Sequence, residues 1–264
     1  MTFSFTSLSS SSKGNCTFIQ TEKTRILVDV GISGSKTEKL LKSIDINPQT
    51  IDAIFITHEH IDHIKGLGVV SRKFDIPICC NYDTYVAMKD KIGEIPEKNI
   101  KIFETGKDFI FRDLEVHPMP IIHDCADPVG FVIQKRNKKL TILTDTGSVT
   151  DNMIEKMKKS DVYYIEANHD EEKLITCKYP SCVKQRIKGE KGHLSNKDTA
   201  TCLKKVLNEK NEIVILAHLS QESNTPLLAY NTVKKHLEEA GVDLKKSLNL
   251  FLARPYEAGR LREI

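Results

Sequence analysis

The sequence has 264 residues, 39% hydrophobic and 28% charged, with 39 Lys and Arg against 36 Asp and Glu for a formal net charge of +3. A chain of this length buries a substantial core without staples, and layered α/β and barrel-like folds often reach this size as one unit, so a single domain over residues 1–264 is expected. Near-neutral charge excludes attraction to nucleic acid through overall charge alone; such affinity has to come from local clusters and bound metal.

In chain order the apolar patterning predicts strands at 3–8, 17–20 and 26–30, a helix at 37–43, a strand at 53–57, and helices at 64–74 and 84–91. Strands follow at 109–111, 114–119, 129–134 and 141–144, then a helix at 152–158 and a strand at 162–166. The last part reads as a helix at 197–207, a strand at 213–217, a helix at 226–240 with Pro226 in its first turn, and a strand at 248–252. Helices that flank sheets make this an α/β protein, and no repeat or Pro/Gly-rich linker cuts the chain in two. The least regular stretch, 169–192, is expected to be a functional loop, and Lys135-Arg136-Asn137-Lys138-Lys139 an exposed hairpin turn.

Met1-Thr2-Phe3-Ser4-Phe5 has neither a basic segment nor a long apolar one, and Ile213 to Ala217 is too short an aliphatic run for a bilayer, so a cytoplasmic protein with no membrane partner is expected. The seven cysteines, Cys16, Cys79, Cys80, Cys125, Cys177, Cys182 and Cys202, are odd in number and irregularly spaced, which fits reduced thiols. Cys177 and Cys182 enclose four residues, but no second pair is present to complete a tetrahedral zinc site.

The chemistry concentrates in His58-Glu59-His60-Ile61-Asp62-His63, directly after the apolar run Ala53-Ile54-Phe55-Ile56-Thr57. At this composition such a window arises by chance in about one chain in a thousand. A strand continuing to this point would deliver His58 and His60 to one side, and a helix beginning near His63 would turn Asp62 and His63 toward a second position. Two half-sites of this kind suit two divalent ions, and further ligand types stand at the ends of other apolar runs: His123-Asp124, Asp145 in Leu143-Thr144-Asp145-Thr146-Gly147, and His218 in Leu216-Ala217-His218. Imidazole and carboxylate without thiolate fit zinc, manganese or iron. His117 and His236 fit no such pattern.

With Asp29 in Leu27-Val28-Asp29-Val30-Gly31, these motifs resemble, in order, those of the metallo-β-lactamase superfamily. The resemblance implies a four-layer αββα sandwich of mixed sheets, with His58, His60 and His123 on one metal, Asp62, His63 and His218 on the other, Asp145 bridging, and Asp29 orienting ligands. Within the superfamily, several segments are similar to the WalJ (YycJ) subfamily. They are Ser7-Leu8 with Gly14-Asn15-Cys16, Glu166-Ala167-Asn168-His169-Asp170, Tyr179-Pro180, Lys184-Gln185-Arg186-Ile187-Lys188, Gly192-His193-Leu194-Ser195-Asn196, and His218-Leu219-Ser220 with Asn224. Ser11 departs from this pattern, standing where the family usually has glycine.

That resemblance implies a DNA exonuclease acting from the 5′ end. Asp62 and His193 are then catalytic, with His193 as proton donor to the leaving oxygen; His169 is a further catalytic candidate, orienting the scissile phosphate or ligating an additional metal. Lys184, Arg186, Lys188, Asn15 and Asn224 are assigned to substrate phosphates. Two divalent ions set against the carboxylates of Asp62 and Asp145 leave a positive centre that favours an anion such as a phosphodiester, although it also polarises a thioester or lactam carbonyl. The alternatives are therefore a small-molecule ester or thioester hydrolase and a metal-binding protein without catalysis.

Overall fold

The computed structural model describes residues 2–208, 210–244 and 248–264. The chain forms two compact units interleaved in sequence: the first holds 1–118, 125–129 and 254–264, the second 119–124 and 130–253.

In the first unit β1 (Phe3–Ser9), β2 (Cys16–Thr21) and β3 (Arg25–Val28) make an antiparallel meander, and β4 (Ala53–Phe55), β5 (Ile78–Cys80) and β6 (Ile100–Ile102) continue it in parallel. With β14 (Arg262–Glu263) on β1, the sheet order is β14-β1-β2-β3-β4-β5-β6. β4 and β5 are buried three-residue apolar strands, as expected inside a parallel sheet. Helices α1 (Gly34–Lys42), α3 (Leu67–Phe74) and α4 (Tyr82–Ile92) supply Leu41, Val70 and Met88 to a core with Phe18, Leu27, Ile54 and Ile78. Each such side chain contributes roughly 1.5–3 kcal/mol when fully buried. Ser33 and Asn81 cap α1 and α4 through their side chains. The helix expected at 64–74 is two: α2 (Ile61–Ile64) and α3. Between them Gly66 passes so close to Ile32 that a Cβ would lie 2.1 Å from its carbonyl oxygen. β7 (Phe109–Phe111) and β8 (Leu114–Pro120) pair as an antiparallel hairpin.

In the second unit β9 (Val129–Lys135) and β10 (Lys138–Leu143) form the expected hairpin around Arg136-Asn137, with Arg136 at φ 56. β11 (Val162–Glu166), β12 (Glu212–Ala217) and β13 (Leu248–Leu252) extend it in parallel, in the order β13-β12-β11-β10-β9. Helices α5 (Asp151–Met157), α8 (Asn196–Val206) and α9 (Pro226–Glu239) bury Met153, Leu203, Val233 and Leu237 against Tyr163, Val214 and Leu216. The stretch expected as a functional loop, 169–192, instead holds α6 (Glu171–Thr176), capped by Asp170, and α7 (Ser181–Lys188), led by Pro180. Among the described residues no helix is long and apolar enough to cross a membrane.

Candidate metal-ligand residues

In the first unit β4 ends at Phe55, so His58 and His60 lie beyond the strand, and the alternation of a strand does not place them. His60 is the N-cap residue of α2, which starts at Ile61, two residues before the expected position, and carries Asp62 in its first turn. The rings still gather, with centroids 4.7 Å apart for His58 and His60 and 4.1 Å for His58 and His63. Gly31 allows this turn to close, because a Cβ there would lie 1.5 Å from the carbonyl oxygen of Asp62.

Asp29 organises this set. It follows β3 in a left-handed conformation, φ 61, and its buried carboxylate accepts from the Thr57 amide at 2.9 Å, the Thr57 hydroxyl at 2.9 Å and His63 Nδ1 at 2.7 Å. With its proton directed to Asp29, the Thr57 hydroxyl accepts from His58 Nδ1 at 3.0 Å. An ionised carboxylate only accepts, so this relay fixes the Nδ1–H tautomer of both rings and makes each Nε2 the candidate ligand atom. Asn15 sits within the same cluster, its amide nitrogen 3.3 Å from Asp62 Oδ2 and 3.1 Å from His63 Nε2. Its Oδ1 accepts from the Ser11 amide at 3.2 Å. Ser11 is not among the residues with positive φ, so the backbone freedom of glycine is not used there.

In the second unit Asp145, Glu166, His193 and His218 each present a ligand atom, all within 4.8 Å of one another. Asp145 and His218 follow the ends of β10 and β12 with φ 61 and 54, and Glu166 is the last residue of β11. In the sequence Glu166 stands out only within the family segment Glu166-Ala167-Asn168-His169-Asp170; the structure makes it the organiser of this cluster. Its Oε1 accepts from His218 Nδ1 at 2.7 Å and His193 Nδ1 at 2.8 Å, and its Oε2 from the amides of Leu194 at 3.1 Å and Thr146 at 3.2 Å. Burial pushes this carboxyl up, but the two imidazoles outweigh it and hold it below the usual carboxylate range. A carboxylate on Nδ1 of a histidine whose Nε2 is left for metal is the usual support of an imidazole ligand. The signal for it was a lone acid closing the otherwise apolar run Val162-Tyr163-Tyr164-Ile165.

Asp145 Oδ1 lies 3.5 Å from His218 Nδ1 and 3.8 Å from His123 Nε2. His123 Nδ1 donates to the carbonyls of Lys191 and Gly192 at 3.0 and 3.1 Å, which again makes Nε2 the candidate ligand atom. The structure thus gathers His58, His60, Asp62 and His63 in one unit, and His123, Asp145 and His218 with His193 in the other. In both, the donor set and the anchored rings fit a divalent cation.

His169 is buried, its Nδ1 makes no hydrogen bond, and burial holds its imidazole below the ordinary value. Asn224 is engaged internally: its amide nitrogen donates to the carbonyls of Ala167 and Asn168 and to Asn196, and its Oδ1 accepts from the Thr225 amide. Lys184 donates to the Ile175 carbonyl at 2.6 Å, Arg186 is paired with Asp124, and Lys188 is exposed at the end of α7. His117 is buried beside Asp108, and His236 Nδ1 bonds the Thr232 carbonyl one turn back. Among the described residues, Cys177 and Cys182 belong to no group of candidate metal ligands.

The profile of the beta-lactamase superfamily domain matches residues 24–243. The metallo-β-lactamase fold protein YhfI from Bacillus subtilis aligns over all of both chains at 16% identity with a TM-score of 0.72. The short form of human tRNase Z aligns over 98% of this chain and 99% of its own at 17% identity and a TM-score of 0.64. The fold is therefore the metallo-β-lactamase fold, in the expected α/β class. Exodeoxyribonuclease YycJ of Bacillus anthracis is 39% identical over 246 residues, 93% of each chain. Exodeoxyribonuclease WalJ of Streptococcus pneumoniae serotype 2 is 38% identical over 264 residues, 99% of this chain and 98% of its own. The chain belongs to the YycJ/WalJ family of the β-lactamase superfamily and is a metal-dependent hydrolase.

Proposed function

We propose that the protein is a two-metal phosphodiesterase, a DNA exonuclease acting from the 5′ end, formed as one domain over residues 1–264. The observation that carries the reading is the full-length similarity, at 38–39% identity, to two proteins named exodeoxyribonucleases. The anchored imidazoles of both units support it. In this reading His58, His60 and His123 hold one divalent ion, Zn or Mn with Fe as a further possibility, Asp62, His63 and His218 hold the second, and Asp145 serves both. When bound, the ions activate water and polarise the phosphodiester. The one-domain reading is supported by the path of the chain, which passes between the units after Pro118, Asp124, Val129 and Ala253.

The protein's own residues contribute orientation and proton transfer. Asp29 and Glu166 set which nitrogen of each ring carries hydrogen, so the ligating nitrogens are ready before metal arrives. His193, held on Glu166 through Nδ1, carries the donated proton on Nε2 and delivers it to the departing oxygen. Asp62 contributes to catalysis as a carboxylate at the reacting centre, and His169 orients the scissile phosphate or ligates an additional ion. Lys184, Arg186, Lys188 and Asn15 serve substrate phosphates, as does Asn224, whose internal bonds would have to open. A cytoplasmic location accords with a DNA substrate. The test is a panel of single- and double-stranded DNA and RNA, labelled at either end and run with zinc and with manganese, beside a thioester. Release of mononucleotides from the 5′ end of DNA is expected. Thioester turnover without DNA cleavage would replace the reading with a small-molecule hydrolase, and inactivity on both at full metal loading would replace it with a non-catalytic metal protein.

A further inference from the structure

Among the basic residues around α7, Arg186 makes a two-bond ion pair with a carboxylate from a distant segment, Asp124. Its Nε donates to Asp124 Oδ2 at 2.5 Å and its Nη2 to Asp124 Oδ1 at 2.9 Å. These two parallel bonds use the fork by which a guanidinium also grips two oxygens of a phosphate. The setting favours an anion larger than one carboxylate, since Lys184, Arg186, Lys188 and Lys191 fall within eleven residues, 181–191, that hold one acid, Glu190. Asp124 brings a counter-charge to this stretch from the turn after β8. With side-chain exposures of 56% and 32%, the pair is wet and contributes little to stability, so exchanging one oxyanion for another costs little.

The location gives the pair a functional direction. Asp124 Oδ1 lies 3.5 Å from Nε2 of His123, and the His123 ring rests on the carbonyls of Lys191 and Gly192, just past α7. The segment from Arg186 to His193 folds tightly on itself: the His193 amide bonds the Ile187 carbonyl at 2.9 Å, and a Cβ on Gly192 would lie 2.3 Å from the carbonyl oxygen of Arg186. One rigid turn therefore positions the guanidinium, the support of a ligand histidine and the proton donor.

We propose that the Arg186 fork is a phosphate subsite for the nucleic-acid strand, kept filled by Asp124 as a stand-in until a substrate phosphate displaces it. The proposal rests on the nuclease reading. It makes Arg186 a substrate-gripping residue and Asp124 its built-in competitor.

The test is equilibrium binding of a 3′-fluorescein single-stranded oligonucleotide with phosphorothioate linkages to the as-purified protein, followed by anisotropy over a range of salt. Arg186→Gln should weaken binding about 5–10-fold and reduce the slope of log K against log salt by about 0.7, the value of one single-strand phosphate contact. Asp124→Asn should tighten binding about 3–10-fold, and in the Arg186→Gln background this gain should fall below about twofold, because the two residues act on one event. Both changes are on the surface, and unchanged circular dichroism verifies folding. Equal gains from Asp124→Asn in both backgrounds would reduce Asp124 to a general negative charge and overturn the subsite, as would an unchanged salt slope in Arg186→Gln. Absence of binding by the unsubstituted protein would instead strike the nuclease reading, and the subsite with it.

Discussion

Asp29→Asn isolates the tautomer relay with little structural disturbance. The position is left-handed, φ 61, a conformation that asparagine adopts as readily as aspartate, and the side-chain volume is unchanged. The Thr57 amide donates to Oδ1 at 2.9 Å, so the amide group has to keep its oxygen there; a flip would set two donors against each other. Its nitrogen then takes the place of Oδ2 and becomes a donor toward His63 Nδ1 and the Thr57 hydroxyl, both of which gave hydrogen bonds to the carboxylate. His63 reverts to the Nε2–H tautomer. The hydroxyl, turned round, donates to His58 Nδ1, and that ring reverts as well. Both ligating nitrogens now carry hydrogen, and metal must displace it. Loss of one such outer partner typically costs 10–100-fold in metal affinity, about 1.4–2.7 kcal/mol, and with two rings affected the expected loss lies at or above the upper figure. Competition against a chromophoric zinc chelator measures it, with circular dichroism of the metal-free protein expected to match the parent. Asp29→Ala is the poorer probe: it strands the buried Thr57 amide at about 1–3 kcal/mol and lowers fold stability too. Parental zinc affinity in Asp29→Asn would refute the relay.

Elemental analysis of fully loaded protein should give two metals per chain, and one or none would reject the seven-ligand assignment. Asp145→Ala should lower turnover by at least about 10³-fold and disturb both ions while the fold persists; near-normal activity would remove Asp145 from the centre. His193→Ala should keep its full metal content and lose about 10²–10⁴-fold on DNA, but far less on a nitrophenyl phosphodiester, whose leaving group needs no proton. An equal loss on both substrates would make His193 a phosphate-positioning residue, and a fall in bound metal would make it a ligand.

The metal-ligand types were legible because each closes an apolar run long enough to recognise as a strand. Glu166 was not, since a single acid at the end of Val162–Glu166 looks like the point where a strand meets solvent, and only the fold shows two imidazoles and two amides converging on it. β5 and β6, three residues each, are too short for alternation to register. α6 and α7 were hidden for another reason: Leu174 is the one buried side chain of the first and Ile187 of the second, so neither helix writes a hydrophobic period into the sequence. The backbone reversals that gather His58 and His60 beyond β4 are likewise long-range, depending on Gly31 passing over Asp62.

Asp29, Asp145 and His218 are held at positive φ, where a side chain other than glycine typically costs about 1–3 kcal/mol. Glycine at Asp145 or His218 would relieve that cost and remove a group that the proposed chemistry needs, whereas at Asp29 it would also strand the buried Thr57 amide and cancel the gain. In the two-metal reading, selection for heat resistance alone would therefore be drawn to Asp145 and His218 at the expense of ion binding. Directed evolution has to score turnover in every round, because stability and activity pull in opposite directions at those two residues.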